Sequence, residues 1–251
     1  MSWLIARYHP VSLFSLRPYN ATTSGGKSLI APTAFALKMA LLSVSIQHAG
    51  LAEGKARFPI IRDLQIALDL PNQIVIVKSF AKIQRMAGFK GKTDERPAWQ
   101  AAQVASGAYP FQPTITYKEL VQFGGPLGIA ITTPGGDTPA WLSTTLLGIN
   151  YLGKRGSFFQ IAGPPVSTEI PGPRFTAITT DATTIAMNGT LQPLDDCGSG
   201  MTFAHADIYD PKRISLDKER IIRHIVLPYQ LAQSSRGYSR YERIGEGQGA
   251  L

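Results

Sequence analysis

Residues 32–48 read PTAFALKMALLSVSIQH, and this stretch determines more about the fold than any other part of the sequence. Pro32 suits the first turn of a helix, because a proline there loses no hydrogen bond and its fixed φ is already helical. Apolar residues recur around most of the helix, and Gly50 follows as a stop signal. A helix of this kind packs on more than one side, so we predict that residues 32–48 form the central helix of a buried core.

Strand-like runs flank this helix on both sides. Residues 3–16 (WLIARYHPVSLFSL) are rich in aliphatic and aromatic side chains, with Pro10 as an irregularity. After the helix come residues 64–70 (LQIALDL) and 73–80 (QIVIVKSF). The intervening Pro71-Asn72 is a turn dipeptide, which predicts a hairpin between these two strands.

A second set of elements follows further along the chain. Residues 114–123 and 127–132 have strand patterns, residues 139–147 a helix pattern, and residues 149–161 a strand pattern. The order strand-helix-strand, strand-helix-strand predicts an α+β fold with a ferredoxin-like, or RRM-like, arrangement over residues 1–165.

Two further segments complete the predicted organisation. Residues 81–113 are basic and glycine-bearing without a sustained apolar face, so we expect an irregular arm inserted into the domain. Proline and glycine recur over residues 163–173, which suggests a domain boundary. Residues 166–251 are then a smaller, mostly β region, with short runs at 175–180, 183–186 and 221–227.

Composition restricts the function class. The chain has 251 residues, a net charge of +8 and a pI near 9.6, which favours polyanionic partners. A single cysteine, Cys197, forms no internal disulfide and no zinc site of several thiolates, so a reducing compartment is expected. Residues 29–46 are too polar for a bilayer helix, and the N-terminus lacks an export pattern. We therefore expect a cytoplasmic protein without a membrane partner.

The loop ATTSGGKSL, residues 21–29, resembles a Walker A phosphate loop but differs from it. Gly26, Lys27 and Ser28 fit the last three positions, whereas Ala21 replaces the first glycine. Pro32 places the helix start beyond the GKS tripeptide, although a P-loop helix begins within it. We therefore expect an ordinary polar loop, and a P-loop-like nucleotide-binding enzyme is kept as a second alternative.

The sequence gives little support to several other enzyme classes. The four histidines form no pair or cluster at metal-ligand spacing, so no metal site is predicted. There is no G-x-S-x-G elbow and no dinucleotide fingerprint, and no cofactor is predicted. Basic residues interleave with aromatic residues in the arm and near the C-terminus, the combination that single-stranded nucleic acid requires. The RNP1 pattern of an RRM is missing, so base stacking on the sheet face is not expected.

Three phrases resemble the Cas-five branch of the CRISPR-associated RAMP proteins. The first is a strand, a loop rich in Ser and Thr, and a helix entered through a proline, here residues 13–17 and then NATTSGGKSLIAPTAFALKMALL. The second is a long basic hairpin or thumb around residues 82–114. The third is the phrase YLGKR at residues 151–155. The resemblance covers residues 1–165.

This resemblance implies an RNA-binding subunit of a type I CRISPR Cascade surveillance complex, active in antiviral defence. It would cap the five-prime handle of the crRNA and contact the backbone and large subunits, with target DNA as a further partner within the complex. Catalysis is not required. Some family members cleave precursor crRNA with a Tyr, a Lys and a His, and a metal-independent endoribonuclease is the first alternative, although no spacing in this sequence selects such a triplet.

The residues expected to contact RNA come from the loop, the helix, the arm and the YLGKR phrase. The loop would place its amides and side chains near the helix N-terminus, where anions are favoured. Lys38 either reaches the surface or the same ligand. The full set is Arg17, Asn20, Ser24, Lys27, Ser28, Lys38, Lys82, Arg85, Lys90, Lys92, Arg96, Trp99, Lys154 and Arg155.

Overall fold

A computed structural model describes residues 2–21, 26–180, 188–209 and 212–245. Four helices and twelve strands lie within these ranges. In chain order they are β1 (Trp3–Pro10), α1 (Ala34–Asp63), β2 (Gln65–Asp69), β3 (Gln73–Met86), α2 (Arg96–Ala105), β4 (Phe111–Phe123), β5 (Leu127–Thr132), α3 (Ala140–Leu147), β6 (Phe159–Ile161), β7 (Val166–Thr168), β8 (Thr176–Ala177), β9 (Thr190–Cys197), α4 (Phe203–Ala206), β10 (Arg220–Leu227), β11 (Tyr229–Ser234) and β12 (Tyr238–Arg243).

The first sheet confirms the predicted fold class. Its strand order is β6-β1-β5-β2-β8, and β5 is antiparallel to both of its neighbours. With α1 between β1 and β2, and α3 between β5 and β6, the first four of these strands form the β-α-β-β-α-β unit of a ferredoxin-like domain. The chain is therefore an α+β protein built on this unit.

The helix α1 is the core helix that the sequence predicts, but its bounds differ. Thr33 caps it, with its side-chain oxygen accepting a hydrogen bond from the Ala36 N–H at 3.1 Å. Gly50 interrupts the helical geometry at φ 84°, and helical residues resume to Asp63. Gly54 and Pro59 lie in this second segment, and for that reason its sequence did not predict a helix. Phe58 and Ile61 of the segment are buried in the core. Length and composition alone would let α1 cross a membrane, yet its apolar residues pack against the sheets.

The predicted hairpin at Pro71-Asn72 is wrong. β2 pairs with β5 and β8, whereas β3 pairs with β4 and β12 in a second sheet of order β11-β12-β3-β4. The chain therefore changes sheets at this dipeptide. A turn signal in the sequence shows where a strand ends, but the choice of partner depends on residues far away in the chain.

The inserted arm is a regular hairpin. β3 and β4 pair without interruption from Ile74↔Phe123 to Met86↔Phe111. A 3₁₀ helix at Thr93–Glu95 and then α2 form its tip. The family resemblance predicted a hairpin or thumb here, and that is confirmed, whereas the expectation of irregular structure over residues 81–113 is wrong. We call residues 73–123 the thumb.

Other element bounds also differ from the expectations. β1 ends at Pro10, and beyond it Phe14 forms only an isolated bridge to Val121. The strand expected over 149–161 is limited to β6. β10 matches the run at 221–227, and β8 is a short part of the run at 175–180. Residues 183–186 lie in a part of the chain that the structure does not describe. The sequence signals missed β7, β9, β11 and β12, and the boundary near residue 165 stays a prediction.

A segment that we call the strap, residues 169–175, crosses the sheet face opposite α3. It connects β7, which pairs with β1, to β8, which pairs with β2, so it runs from one edge to the other. Arg174 in the strap bonds Asp69 at 3.0 Å. Ala67 and Ala130 beneath it are 4% and 0% exposed. The face on which an RRM stacks bases is therefore covered here, consistent with the missing RNP1 pattern.

Candidate nucleic-acid interface

The thumb presents two different faces, because successive residues of a strand point to opposite sides. Lys82 is paired with Ile115 and lies on the same face as Phe80 and Tyr117. Arg85 lies on the other face, where Lys118, paired with Ser79, also projects. Lys82 and Arg85, grouped together by the sequence, therefore point to opposite sides of the hairpin.

The face that carries Lys82 is largely apolar and exposed. The rings of Phe80 and Tyr117 are 5.1 Å apart between centroids, and Phe80 is 69% exposed. Ile115, Phe111 and Met86 continue this surface towards the tip, each of them at least half exposed. Flat, solvent-exposed rings beside a lysine can stack bases and neutralise a phosphate at the same time.

A small aromatic cluster holds the thumb tip together. The Trp99 ring lies 5.2 Å from Phe89 and 6.4 Å from Tyr109 between centroids, the second pair being edge to face. Such arrangements stabilise neighbouring rings beyond the area that they bury. Trp99 is thus a structural residue of the tip, and its contact with RNA stays a prediction.

The thumb carries an excess of positive charge. Residues 73–123 carry seven Lys or Arg and three Asp or Glu, so their net charge of +4 is half of the chain's +8. The five cations predicted from the arm are all exposed, and none of them forms an ion pair with any residue that the structure describes. These five are Lys82, Arg85, Lys90, Lys92 and Arg96.

The basic residues near the C-terminus behave differently. Arg220 pairs with Asp195, and Arg223 lies 3.3 Å from Asp196. In β12, Arg240 lies 3.0 Å from Glu242, while Arg243 is 3.6 Å from Asp69. Tyr229 is fully buried and donates its hydroxyl to the Pro71 carbonyl. The sequence placed this group beside the arm as a possible RNA surface, whereas these side chains are largely engaged in holding the fold together.

The loop before α1 is fastened to the base of the thumb. The Glu119 N–H donates to the Gly26 carbonyl at 2.7 Å, and Glu119 Oε2 accepts from the Ser28 N–H at 3.0 Å. A Cβ on Gly26 would overlap the Tyr117 carbonyl, so the close approach of the two backbones requires glycine. Burial, and then the hydrogen bond that the Tyr117 hydroxyl donates to Glu119 Oε1 at 2.7 Å, raise the pKa of Tyr117 to about 12.

This fastening separates the three loop residues predicted to bind RNA. Lys27 is exposed beside the thumb base. Ser28 points inward at 8% exposure, and its hydroxyl accepts from the Leu16 N–H at 3.0 Å, so its predicted RNA contact is wrong. Ser24 lies outside the described residues. Because α1 begins only at Ala34, the amides of Lys27 and Ser28 are not at a helix N-terminus, and the local geometry is not that of a P-loop.

The YLGKR phrase is brought to the same region. The Lys154 N–H donates to the Ser15 carbonyl at 3.2 Å, and Gly153, at φ 72°, allows the tight turn that approaches Leu16. The side chains of Lys154 and Arg155 are exposed. Arg17 and Asn20, further along the loop, are exposed as well. Two predicted cationic segments that are more than 120 residues apart in sequence therefore share one surface.

Lys38 is the clearest correction to the predicted set. It is 2% exposed, and its Nζ donates to Asp196 Oδ1 at 2.6 Å. It neither reaches the surface nor faces the loop, because a buried ammonium requires a buried carboxylate partner. Its partner is 158 residues away, so no local pattern could have identified the pair.

The structure also adds residues that the sequence reasoning missed. Phe80 and Tyr117 flank Lys82 on the thumb, and Lys118 accompanies Arg85 on the opposite face. The alternation of side chains along 73–86 and 111–123 could have placed them once the two runs were paired. The register that pairs them was not visible in the sequence.

No family model and no curated protein matches this chain. Among solved structures, a crystal structure of a CRISPR protein from Archaeoglobus fulgidus is similar at 11% sequence identity and a TM-score of 0.42, with 98% of this chain and 93% of that chain covered. A cryo-EM structure of the type III-B Cmr-beta complex, bound to cognate target RNA and AMPPnP, contains a chain that is similar at 10% identity and a TM-score of 0.38. That match covers 96% of this chain and 86% of the other. The assignment of the fold rests on the strand order given above.

Proposed function

We propose that this chain is an RNA-binding subunit of a CRISPR effector complex. Its thumb and the adjoining loops hold single-stranded RNA through phosphate contacts and base stacking. The proposal rests on the sequence phrases shared with the RAMP proteins, on the ferredoxin-like strand order and on the character of the thumb surface.

The observation that carries the proposal is the contrast between two sets of cations. The arginines of β10 and β12 form ion pairs with Asp195, Asp196, Glu242 and Asp69. The thumb cations have no such partners in the part of the chain that the structure describes, and they stand beside exposed rings. An exposed cation without a carboxylate partner is available to a phosphate, and binding then releases the condensed counterions of the nucleic acid.

In its finer form, the proposal is that the protein caps the five-prime handle of the crRNA in a Cascade-type complex of type I. The exposed loop cations and the thumb would bind the handle, while the backbone and large subunits pack against other faces of the protein. This assignment follows from the sequence resemblance. It would be tested by reconstituting the complex with and without this chain and measuring whether the handle is protected from nuclease.

The direct test of RNA binding is a salt titration. The wild-type protein and a variant with Lys82, Arg85, Lys90 and Lys92 all replaced by Ala are titrated with a short single-stranded RNA and with duplex DNA. Each phosphate contact to a single strand contributes about 0.7 to the slope of log K against log salt. We expect preferential RNA binding and a slope reduced by about 2 to 3 in the variant.

A matched control removes the same charge elsewhere. Replacing Lys55, Lys212, Arg213 and Lys218 by Ala changes exposed cations on α1 and on the 212–218 segment. The slope for this control should stay at the wild-type value. An equal reduction in both variants would show that only net charge matters, and would contradict a specific role for the thumb.

The same samples test the two alternatives. Running the RNA on a denaturing gel after incubation in EDTA would reveal a discrete product if the protein is a metal-independent endoribonuclease. A thermal shift with ATP and magnesium that Lys27→Ala abolishes would support the nucleotide-binding alternative. We expect intact RNA and no shift.

A further inference from the structure

A pocket of about 260 Å³ lies between the N-terminal turns of α1, the YLGKR turn and the start of β10. Phe35, Met39 and Tyr151 form its apolar walls, and Leu16 and Gly153 lie at its side. Drug-sized ligands occupy pockets of about 300–1,000 Å³, so this one suits a smaller molecule. We call it the α1 slot.

The polar end of the slot holds a carboxylate with an unused oxygen. Asp195 is 6% exposed, and its Oδ2 accepts the guanidinium of Arg220, with Nε at 2.7 Å. Within the described part of the chain, Oδ1 accepts no hydrogen bond, and the residue lines the slot, which leaves this oxygen accessible from solvent. A carboxylate oxygen is an acceptor only, so a ligand that enters the slot can donate a hydrogen bond to it.

A second contact, besides the ion pair with Asp195, orients Arg220. Its guanidinium lies 4.5 Å from the centroid of the Phe35 ring, in a cation–π arrangement. The ring and the ion pair together orient Asp195, so the acceptor is already in place before a ligand arrives. A binding site held in this way loses little entropy when it is filled.

The surroundings identify the class of ligand. Lys154 and Arg155, both exposed, directly follow Gly153 at the side of the slot. Cations beside an apolar, aromatic-walled slot suit a nucleotide whose base enters the slot while its phosphates stay outside. The acceptor at the inner end requires a base edge that carries an amino group.

We propose that the α1 slot binds a single unstacked RNA base and selects one with an exocyclic amino group, cytosine in preference to uracil. These two bases have nearly the same shape and differ at position 4, which bears an amino donor in cytosine and a carbonyl acceptor in uracil. Aspartate accepts from the cytosine amino group and repels the uracil oxygen. The inference rests on the proposed RNA-binding function and adds to it a base-specific position.

The test compares the affinities of the full-length protein for octamers of cytidine and of uridine at one salt concentration. Hydrogen bonds to charged groups are worth enough for a preference of about tenfold for cytidine. Asp195→Asn should reduce that preference below about twofold, because an amide can donate to uracil as well as accept from cytosine. Equal affinity of the wild-type protein for both octamers would overturn the slot while leaving RNA binding intact.

A second variant keeps the test decisive if Asp195→Asn disturbs folding. Ala40→Phe fills the slot from α1 and leaves both residues of the ion pair in the sequence, and Ala56→Phe makes the same change at an exposed position of the same helix. We expect Ala40→Phe to abolish the preference and Ala56→Phe to keep it. A preference that survives in Ala40→Phe would overturn the inference, and failure of the wild type to bind either octamer would overturn the proposed function with it.

Discussion

Arg7 and Asp69 lie in register with the same residue, Gly128, on the two sides of the central strand β5, and their side chains form an ion pair at 3.2 Å across it. A Cβ on Gly128 would stand only 3.0 Å from the Cβ of Asp69, so glycine makes room for this bridge. Arg174 of the strap and Arg243 of β12 bind the same carboxylate at 3.0 and 3.6 Å. One buried aspartate thereby connects both sheets and the strap.

Removing this carboxylate should destabilise the protein strongly. Asp69→Ala leaves three arginines without their shared partner. Arg7 and Arg174 are half exposed and can be solvated, but Arg243 is 12% exposed, and breaking a buried pair typically costs about 3 kcal/mol or more. Glu242→Ala breaks the half-exposed pair with Arg240 and should cost less than about 1 kcal/mol. Urea unfolding at pH 7 measures both free energies, and equal losses would contradict the central role of Asp69.

Lys38 should matter for stability and not for RNA. Lys38→Met removes a buried partner of Asp196, and we expect a loss of about 3 kcal/mol in the free energy of unfolding. RNA affinity of the folded protein should be unchanged, because the ammonium does not reach solvent. Lys27→Met, the same substitution at an exposed position, should change stability by less than about 0.5 kcal/mol and weaken RNA binding. A salt slope lowered by Lys38→Met would contradict the structural role.

The tip of the thumb should loosen on its own when its aromatic cluster is broken. Trp99→Ala removes both ring contacts, each worth about 1 kcal/mol, from a part of the chain that has no other core. Amide hydrogen exchange over residues 88–108 should then accelerate, while the strands of the first sheet keep their protection. Arg96→Ala, an exposed change in the same helix, serves as the control. Exchange that accelerates equally in the first sheet would argue against an independent tip.

Cys197 should resist modification in the folded protein. Burial, the largest cause, raises the pKa of its thiol from 9.0 to about 12, so almost none is thiolate at neutral pH. The neutral thiol favours the folded state, so this contribution to stability is complete below pH 9 and is lost as the pH rises from 9 towards 12. Reaction with iodoacetamide at pH 8 should require unfolding. Labelling as fast as that of a free thiol would refute the buried position.

Part of this architecture was predictable because it depends on local patterns. The apolar residues of 32–48, the strand-like runs at 64–70 and 127–132 and the order of the elements were enough to predict a ferredoxin-like unit. The excess of positive charge in the arm is likewise a property of composition. These features require no knowledge of which residues meet in space.

The partners of those residues were decided only by the tertiary structure. Pro71-Asn72 has the same turn propensity whether the next strand returns to its neighbour or enters another sheet, and here it enters another sheet. Lys38 and Lys82 both have apolar neighbours in the sequence. In the structure, Lys38 is buried against Asp196, whereas Lys82 is exposed on the thumb. The sequence determined how many cations the chain carries and where strands and helices form. Which cations remain available to RNA was determined by contacts in the folded chain, such as that of Lys38 with Asp196 158 positions away, because these contacts bring a carboxylate within reach of some cations and leave others in solvent.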